Sequence, residues 1–356
     1  MNPKLIIDMK KFTHNARYLA ELCAKNGVSM AAVTKVYCAA RPMVEAIAAL
    51  PIKYLADSRL ENIVAYPMDI PQQTMLLRLP SPSMAEKVVA GSDISLNSEI
   101  FTLGKLADAA ASQGKQHGII LMIDLGDLRE GIYYDKTAEI EKAAEFILSQ
   151  KSLRLEGFGT NLTCFGGVLP SVKNLTMLSE ICYNVSRKFS VEIPVVSGGN
   201  SSSLHMLGQN QLPAGINNLR FGDATVSGYE AAHYTQFPGL ELDAITLHAE
   251  IIETYEKPSM PEGETNVNAF GEVTSFDDKG MRKRAIVAVG RQDTQYDGLT
   301  PHMQGATIEG ASSDHLIVDI TDAAPLAVGD WLTFSLSYGA ILAGFTSRYV
   351  DKDYRY

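Results

Sequence analysis

Short apolar runs alternate with amphipathic segments through the first two thirds of the chain. Runs of this length, bounded by Gly, Pro, Asn or Asp, are typical of buried strands. The eight runs are MAAVTK (30–35), KYLADS (53–58), TMLLRL (74–79), DISLN (93–97), GIILMIDL (118–125), LEGFGTN (155–161), IPVVSGG (193–199) and NLRFGD (218–223). Because successive parallel strands need a crossover connection, usually a helix, the alternation predicts a parallel sheet.

The segments between these runs have the spacing of helices. The apolar faces of two of them are Ile100, Leu103, Leu106 and Ala107, and Ile140, Ala143, Ala144 and Ile147. Eight strand–helix repeats is the number that closes a (β/α)8 TIM barrel, and we expect that fold rather than a doubly wound open sheet. LIIDM, which begins at Leu5, is a ninth strand outside this count, with a helix beginning near Lys10.

The pattern changes at Pro238, after which strands follow one another with only short polar connections. The later strands are LHAEIIETY (247–255), KRAIVAVG (283–290), HLIVDIT (315–321) and DWLTFSLSY (330–338). Successive strands separated by turn residues are typical of an all-β domain. The pattern therefore predicts two domains, a barrel over residues 1–237 and a C-terminal all-β domain over residues 238–356.

Composition narrows the class of protein. Of the 356 residues, 46% are hydrophobic and 20% are charged, which is the balance of a folded globular chain. The net charge of −10 and the lack of a dense Lys/Arg block argue against nucleic-acid or anionic membrane partners. The four scattered cysteines form no C-x-x-C pair, and the N-terminus lacks a signal-peptide pattern, so we expect a cytoplasmic protein with reduced thiols.

Barrel enzymes place their chemistry at the carboxyl ends of the strands, and Lys35 ends the first predicted barrel strand. Apolar neighbours favour the neutral amine, which can form a Schiff base with an aldehyde. The alternative is a lysine whose stem lies on apolar surface while its head reaches water.

The loop SGGNSSS (197–203) follows the seventh barrel strand, where barrels often bind phosphate. Two glycines let backbone N–H groups converge, and Asn200 and Ser201 add side-chain donors, although the same residues also suit a turn that binds nothing. Arg220 lies in the otherwise apolar eighth strand, and Arg129 follows the fifth, where each could bind a ligand or form a structural ion pair. A lysine, a phosphate loop and two arginines on one rim suit pyridoxal phosphate better than any other cofactor.

With these motifs the chain resembles the alanine racemase family of pyridoxal-phosphate enzymes, and within it most closely the group that contains ornithine racemase. The resemblance covers nearly the whole chain. It is carried by LIIDMKKFTHNARYL (5–19), VTKVYCA (33–39), MIDLGDLREG (122–131) and LRFG (219–222). It implies a racemase acting on an amino acid, a basic one such as ornithine, and a homodimer whose sites are completed by the partner's β-domain.

The resemblance also implies roles for individual residues. Lys35 would be the Schiff-base lysine and the base on one substrate face, and Arg129 would contact the cofactor and the substrate carboxylate. Arg220 would donate to the cofactor's ring nitrogen. Phosphate contacts would come from Asn200, Ser201, the backbone amides of Gly222 and Asp223, and Tyr338 of SLSYG (335–339).

Two positions depart from the family pattern. Where the family has its second base, a tyrosine of the β-domain, this chain has Phe270, which cannot transfer a proton. Asn161, counted with the cofactor-binding residues, stands where the family has a histidine that contacts this tyrosine. Loss of both the tyrosine and the histidine suggests that other residues transfer the proton on that face of the substrate. If the register is shifted, Tyr255 or Tyr296 could supply the phenol.

The missing base could be replaced by Cys164, by Asp314, or by Asp293 or His302 nearby. Cys164 lies just past the sixth barrel strand, where a thiol could carry a proton or could simply fill space. Ser313 and Asp314 align with a segment that meets the substrate, and a carboxylate there could bind a distal ammonium. The alternative functions are a lyase or decarboxylase with the same cofactor, or a non-catalytic cofactor-binding protein. The C-terminal domain argues against the last, because such binding proteins resemble the barrel alone.

Overall fold

The structure is a computed structural model that describes residues 2–356. Its contacts divide the chain into two compact units. One is Lys11–Leu242, and the other combines the residues up to Lys10 with Asp243–Tyr356. The first strand therefore groups with the C-terminal part of the chain, and the division at residues 237 and 238 stays a prediction.

In chain order the strands are β1 (Lys4–Asp8), β2 (Ser29–Val33), β3 (Tyr54–Asp57), β4 (Gln73–Leu76), β5 (Ile94–Asn97), β6 (His117–Asp124), β7 (Ile132–Tyr133), β8 (Leu153–Gly159), β9 (Val195–Ser197), β10 (Asn218–Phe221), β11 (Tyr229–Glu230), β12 (Thr235–Gln236), β13 (Ile245–Pro258), β14 (Met281–Val287), β15 (Leu299–Pro301), β16 (Thr307–Ala311), β17 (Leu316–Asp319), β18 (Trp331–Leu336) and β19 (Asp351–Arg355). The α-helices are α1 (Met9–Lys25), α2 (Arg41–Ala48), α3 (Leu60–Val64), α4 (Ala85–Gly91), α5 (Ile100–Ser112), α6 (Thr137–Ser149), α7 (Val172–Phe189), α8 (Leu204–Gly208), α9 (Asp223–Ser227) and α10 (Tyr338–Thr346). Both apolar faces identified in the sequence lie on helices, α5 and α6.

The unit Lys11–Leu242 is a closed parallel barrel, as predicted. Its strands pair in the order β5-β4-β3-β2-β10-β9-β8-β6, and a further pairing of β5 with β6 closes the ring. Its core is formed by side chains that the strands bury together, namely Ala31, Val33, Tyr54, Ala56, Met75, Ile94, Leu96, Ile120, Met122 and Val195. A filled core of this kind holds the strand ends in fixed positions, and those ends carry the candidate site.

The other unit is a mainly antiparallel sheet in the order β15-β18-β13-β14-β17-β16. The all-β domain is confirmed, and α10 is one helix at its carboxyl end. β1 pairs antiparallel with β13 and parallel with β19, so both ends of the chain lie in this sheet. None of the helices within residues 2–356 has the length and apolarity needed to cross a bilayer.

Candidate active site

Lys35 follows β2 directly and begins a short 3-10 turn, Lys35–Tyr37. The residue before it, Thr34, is fully buried and donates its hydroxyl to Asp57 Oδ2 at 2.5 Å. Burial raises the pKa of Asp57, while the Thr34 hydrogen bond and the Lys35 charge oppose that rise. The partly buried lysine thus lies in the field of a buried carboxyl group at the end of the neighbouring strand.

The loop after β6 is shaped by two aspartates. Asp124 accepts the backbone N–H groups of Gly126 and Leu128 at 2.8 and 3.2 Å, which folds the chain back toward Arg129. Asp127 is fully buried, and its carboxylate reaches the loop after β8, where it accepts the N–H of Cys164 at 3.0 Å. Two more N–H groups of that loop donate to the same carboxylate. Asp127 therefore ties together the two loops that carry Arg129 and Cys164.

A continuous hydrogen-bonded chain joins two predicted arginines. Arg129 forms an ion pair with Glu130, and its Nη2 donates a hydrogen bond to Glu130 Oε1 at 2.7 Å. Asn161 Nδ2 donates to the same carboxylate, and Asn161 Oδ1 accepts from Arg220 Nη2 at 2.6 Å. Asn161 thus faces a carboxylate with its amide hydrogens and a guanidinium with its oxygen, so its orientation is set from both ends.

Arg220 is buried in β10, and three of its five N–H donors are used. They go to Asn161 Oδ1, to the carbonyl of Thr160 at 2.7 Å and to Ser197 Oγ. Burial lowers the pKa of Arg220 to about 10, and the Glu130 carboxylate opposes this. Because the pKa stays well above neutral, the guanidinium stays charged at neutral pH, and it can only donate hydrogen bonds.

The loop after β9, residues 199–203, is called the nest here, and its binding of phosphate stays a prediction. Gly199 has a φ of +112°, a left-handed conformation that L side chains rarely adopt. Asn200 accepts the N–H of Ser202 at 2.8 Å, and the Ser201 hydroxyl accepts the N–H of Ala224 at 3.3 Å. A Cβ on Gly222 would lie 3.0 Å from Val33 Cβ, so glycine lets the end of β10 approach β2.

Asp223 begins α9 beside this nest. Its Oδ1 atom is buried and has no hydrogen-bond partner within residues 2–356. Burial raises the pKa of Asp223 to about 6, although Ser227 and the Lys35 charge oppose the rise. The charge of Lys35 therefore opposes the rise in pKa of two carboxyl groups, Asp57 and Asp223. They lie at the ends of the strands on either side of β2 in the barrel.

Cys164 lies at the exposed rim of the barrel unit, in the loop fixed by Asp127. Its sulfur accepts from Asn200 Nδ2 at 3.3 Å, which joins it to the nest. Burial of the thiol raises the pKa of Cys164, with Arg129 opposing and Asp127 adding to the rise. The thiol is therefore held in its protonated form at neutral pH.

The C-terminal unit brings together its own predicted positions around Arg291. The guanidinium lies 4.1 Å from the centroid of the Phe270 ring and 4.7 Å from that of Tyr296, and it donates to the Tyr296 hydroxyl at 3.3 Å. Tyr296 is thus the alternative phenol that shares a partner with Phe270, whereas Tyr255 is an exposed residue of β13.

Ser313 and Asp314 lie in the turn between β16 and β17. The Asp314 carboxylate accepts from the hydroxyls of Ser312 and Ser313 at 3.1 and 3.3 Å, and His315 Nδ1 lies 3.1 Å away. The Ser312 hydrogen bond and the neighbouring His315 lower the pKa of Asp314. The carboxylate is exposed and ionised. Tyr338 begins α10 in the same unit, directly after the helix cap Ser337.

Sequence reasoning missed Glu130 and Asp127. Glu130 is the anion between the two arginines, and Asp127 anchors the Cys164 loop. Both lie inside MIDLGDLREG (122–131), and the signal was two extra carboxylates among residues that the barrel would bury.

The chain is similar in sequence to known amino-acid racemases. The model of the family described as "Alanine racemase, N-terminal domain" matches residues 7–230. The chain is 43% identical to an ornithine racemase from Acetoanaerobium sticklandii, covering 99% of both chains. It is 35% identical to a lysine racemase from Thermotoga maritima, covering 99% of this chain and 98% of the relative.

Solved structures share the fold at low identity. An alanine racemase from Clostridium difficile 630 has a TM-score of 0.75 at 17% identity, covering 100% of this chain and 96% of the other. An alanine racemase from Bartonella henselae with covalently bound pyridoxal phosphate has a TM-score of 0.74 at 17% identity, covering 100% of both chains.

Proposed function

The chain belongs to the alanine racemase family, and we propose that it is a pyridoxal-phosphate-dependent racemase that interconverts the enantiomers of a basic amino acid, ornithine or lysine. The observation that carries the proposal is the buried Arg220, joined through Asn161 and Glu130 to Arg129 on the barrel rim that also bears Lys35. The names of the two relatives with high identity support the substrate class.

The residues of the barrel fit pyridoxal phosphate. In the nest the Asn200 side chain and the Ser201 hydroxyl accept backbone N–H groups, and the Ser201 hydroxyl has its own hydrogen to donate to a phosphate. Gly222 lets the end of β10 lie close to Val33, since a Cβ there would be 3.0 Å from Val33 Cβ. Lys35 would attach the aldehyde, and Asn200, Ser201 and the backbone of Gly222 and Asp223 would hold the phosphate. From the C-terminal unit we assign Tyr338 to the phosphate. When bound, the cofactor withdraws electrons from the substrate's Cα and so acidifies its proton.

Arg220 limits how that electron withdrawal is used. Its guanidinium has donors only, so a ring nitrogen that faces it must accept and stays unprotonated. Three of its donors are already fixed by Ser197, Thr160 and Asn161, which holds the side chain in one orientation. A ring nitrogen that only accepts a hydrogen bond favours quick return of a proton to the substrate's Cα. Racemisation is therefore favoured over transamination.

We assign Lys35 as the proton-transfer group on one face of the substrate and Cys164 as the group on the other. The raised pKa of Cys164 suits a thiol that begins as a proton donor. Arg129, held by Glu130, would bind the substrate carboxylate as a planar fork.

We infer that Ser313 and Asp314 bind the far end of the substrate. The exposed, ionised Asp314 carboxylate has the charge that a distal ammonium requires, and its hydroxyl partners fix its position. Because assigned residues occur in both units of the chain, we propose a homodimer in which the partner's C-terminal unit completes each site. We place the enzyme in the cytoplasm, in keeping with its four free cysteines.

A lyase with the same cofactor is the second candidate. Phe270 stands at the position of the family's tyrosine base, and an enzyme that needs one base could do without it. A D-threonine aldolase from Filomicrobium marinum shares the fold, with a TM-score of 0.73 at 14% identity, covering 98% of this chain and 91% of the other.

One assay separates these functions. L-Ornithine and L-lysine are incubated in heavy water, and Cα deuteration and chirality are followed together. Deuteration with inversion supports the racemase, deuteration with retention supports one-base chemistry, and no exchange with any amino acid overturns catalysis on amino acids. The purified protein should be yellow, and Lys35→Ala should abolish the absorbance; a colourless reconstituted wild type contradicts the cofactor assignment.

A further inference from the structure

A second group of chemically active side chains lies in the barrel unit. His205, Glu230 and His233 each offer one ligand atom, and these atoms lie within 4.8 Å of one another. They come from two elements, since His205 belongs to α8 while Glu230 and His233 belong to the hairpin formed by β11 and β12. We propose that these three residues bind a divalent transition-metal ion, for which zinc is the natural choice given two imidazoles and one carboxylate.

The ring of His205 is oriented as that of a metal ligand usually is. Its Nδ1 lies 2.7 Å from the carbonyl oxygen of Ser202, and a carbonyl can only accept, so Nδ1 carries the proton. The neutral ring then presents the lone pair of Nε2. Metal-binding histidines commonly donate their other ring nitrogen to a backbone carbonyl in this way.

Glu230 is held just as firmly. Its side chain is only 4% exposed, and its two oxygens accept from the N–H groups of Ala232 and His233 at 2.9 Å and from the Thr235 hydroxyl at 3.0 Å. Oε1 accepts two of these hydrogen bonds, from His233 and Thr235, whereas Oε2 accepts only that of Ala232, so a lone pair of Oε2 is left for an ion. The ion-pair partner of this buried carboxylate within residues 2–356 is His233, and a bound cation would balance its charge.

The three ligand atoms are close enough to meet at one ion. They lie within 4.8 Å of one another, and two ligands of a tetrahedral zinc ion with bonds of about 2.1 Å are about 3.4 Å apart, so a small side-chain movement would bring them onto a zinc ion. The rings of His205 and His233 meet edge to face at 88°, with centroids 5.2 Å apart. His233 is 52% exposed, which leaves a path for the ion from solvent.

The metal would stabilise the nest next to it. Ser202 accepts from His205, and the carbonyl of Ser201 accepts the N–H of Ala231 at 3.4 Å, so the same turn contacts both metal-binding elements. An ion bound across α8 and the hairpin would restrain Ser201 and Ser202 from two sides. The ion takes no part in the reaction itself, so failure of the metal proposal would leave the racemase proposal untouched.

The test uses the holoenzyme after treatment with a chelator, dialysed against zinc and analysed by mass spectrometry of its metals. We expect one zinc per chain, bound at least about tenfold more weakly by His205→Ala and His233→Ala. His14→Ala removes an exposed histidine of the same unit and should keep the zinc, and Cys164→Ser should keep it as well. Zinc should also raise the Tm of the wild type and not that of His233→Ala, whose exposed side chain can be removed without disturbing the fold.

Two results would overturn the proposal. One is that the wild type binds no stoichiometric zinc after chelation. The other is that His233→Ala binds zinc as tightly as the wild type while circular dichroism shows it folded. In either case the three residues form only a histidine–glutamate ion pair.

Discussion

Asn161 donates to Glu130 from one end of its amide and accepts from Arg220, at 2.6 Å, with the other. This side chain thus connects an anion to a cation without carrying charge. The predicted register places Asn161 where the family has a histidine, which could titrate, whereas the amide cannot. On that register the replacement removes a proton-carrying group and keeps a hydrogen bond to Arg220.

Glu130→Gln should lower the free energy of unfolding by about 1–3 kcal/mol. The reason is that Arg129 loses its ion pair and the buried Arg220 loses the nearby negative charge that stabilises it. Urea denaturation at neutral pH measures the change. Glu141→Gln is the matched control, since Glu141 pairs with Lys188 at an exposed position and should contribute at most about 1 kcal/mol. Equal losses in the two variants would show that the Asn161 network is no more than a surface ion pair.

Cys164→Ser should reduce kcat by about 10²- to 10⁴-fold, because a serine hydroxyl is a far weaker proton-transfer group than a thiol. Cα deuteration without inversion should persist, since Lys35 would still act on its own face. Cys182→Ala is the control, as Cys182 is a buried residue of α7 and should alter stability only. Full racemisation by Cys164→Ser would remove the thiol from the mechanism.

Asp314→Asn should raise KM for ornithine and lysine about tenfold, a loss of about 1.4 kcal/mol, because a neutral amide cannot balance the distal ammonium. Weak activity on alanine, which has no such group, should not change. Asp330→Asn is the control, because Asp330 is exposed and its carboxylate accepts only the N–H of Ala327 among hydrogen bonds within residues 2–356. An unchanged preference for basic substrates would disprove this role.

Asp223 gives a pH dependence of stability. Its pKa is raised from 3.8 to about 6 in the folded chain, so the folded state binds the proton more tightly than the unfolded state does. Stability is therefore lost as pH rises between about 4 and 6, and the penalty stays above that range. Asp223→Asn should be more stable than the wild type at pH 7.5, by as much as about 2–3 kcal/mol, and equal to it near pH 4.

Thermal unfolding of Asp223→Asn across that range is the measurement. Asp278→Asn, in an exposed turn, should leave the pH profile of the wild type unchanged. A stability difference for Asp223→Asn that does not vary with pH would mean that the carboxyl group is not buried as described.

The barrel could be predicted because its strands are read from local features. Each buried run, such as the segment that became β6, is bounded by turn residues and followed by a helical face. The pairing of β1 with β13 and β19 could not be predicted, since partners more than 230 residues apart leave no local pattern. The residues of the candidate site were likewise only partly predictable. Positions after strands, such as Arg129, followed from the fold, whereas Glu130 needed the contacts that only folding makes.

The placement of β1 between β13 and β19 affects how the protein is made. The first strand leaves the ribosome long before either partner, so the C-terminal sheet cannot be completed until β19 has been synthesised. Deleting β1 or β19 would remove a strand of that sheet. Because β1 and β19 are parallel, a circular permutant needs a crossover linker from the end of β19 to the start of β1. Such a permutant should fold faster, because it makes the most distant pairing in the chain more local.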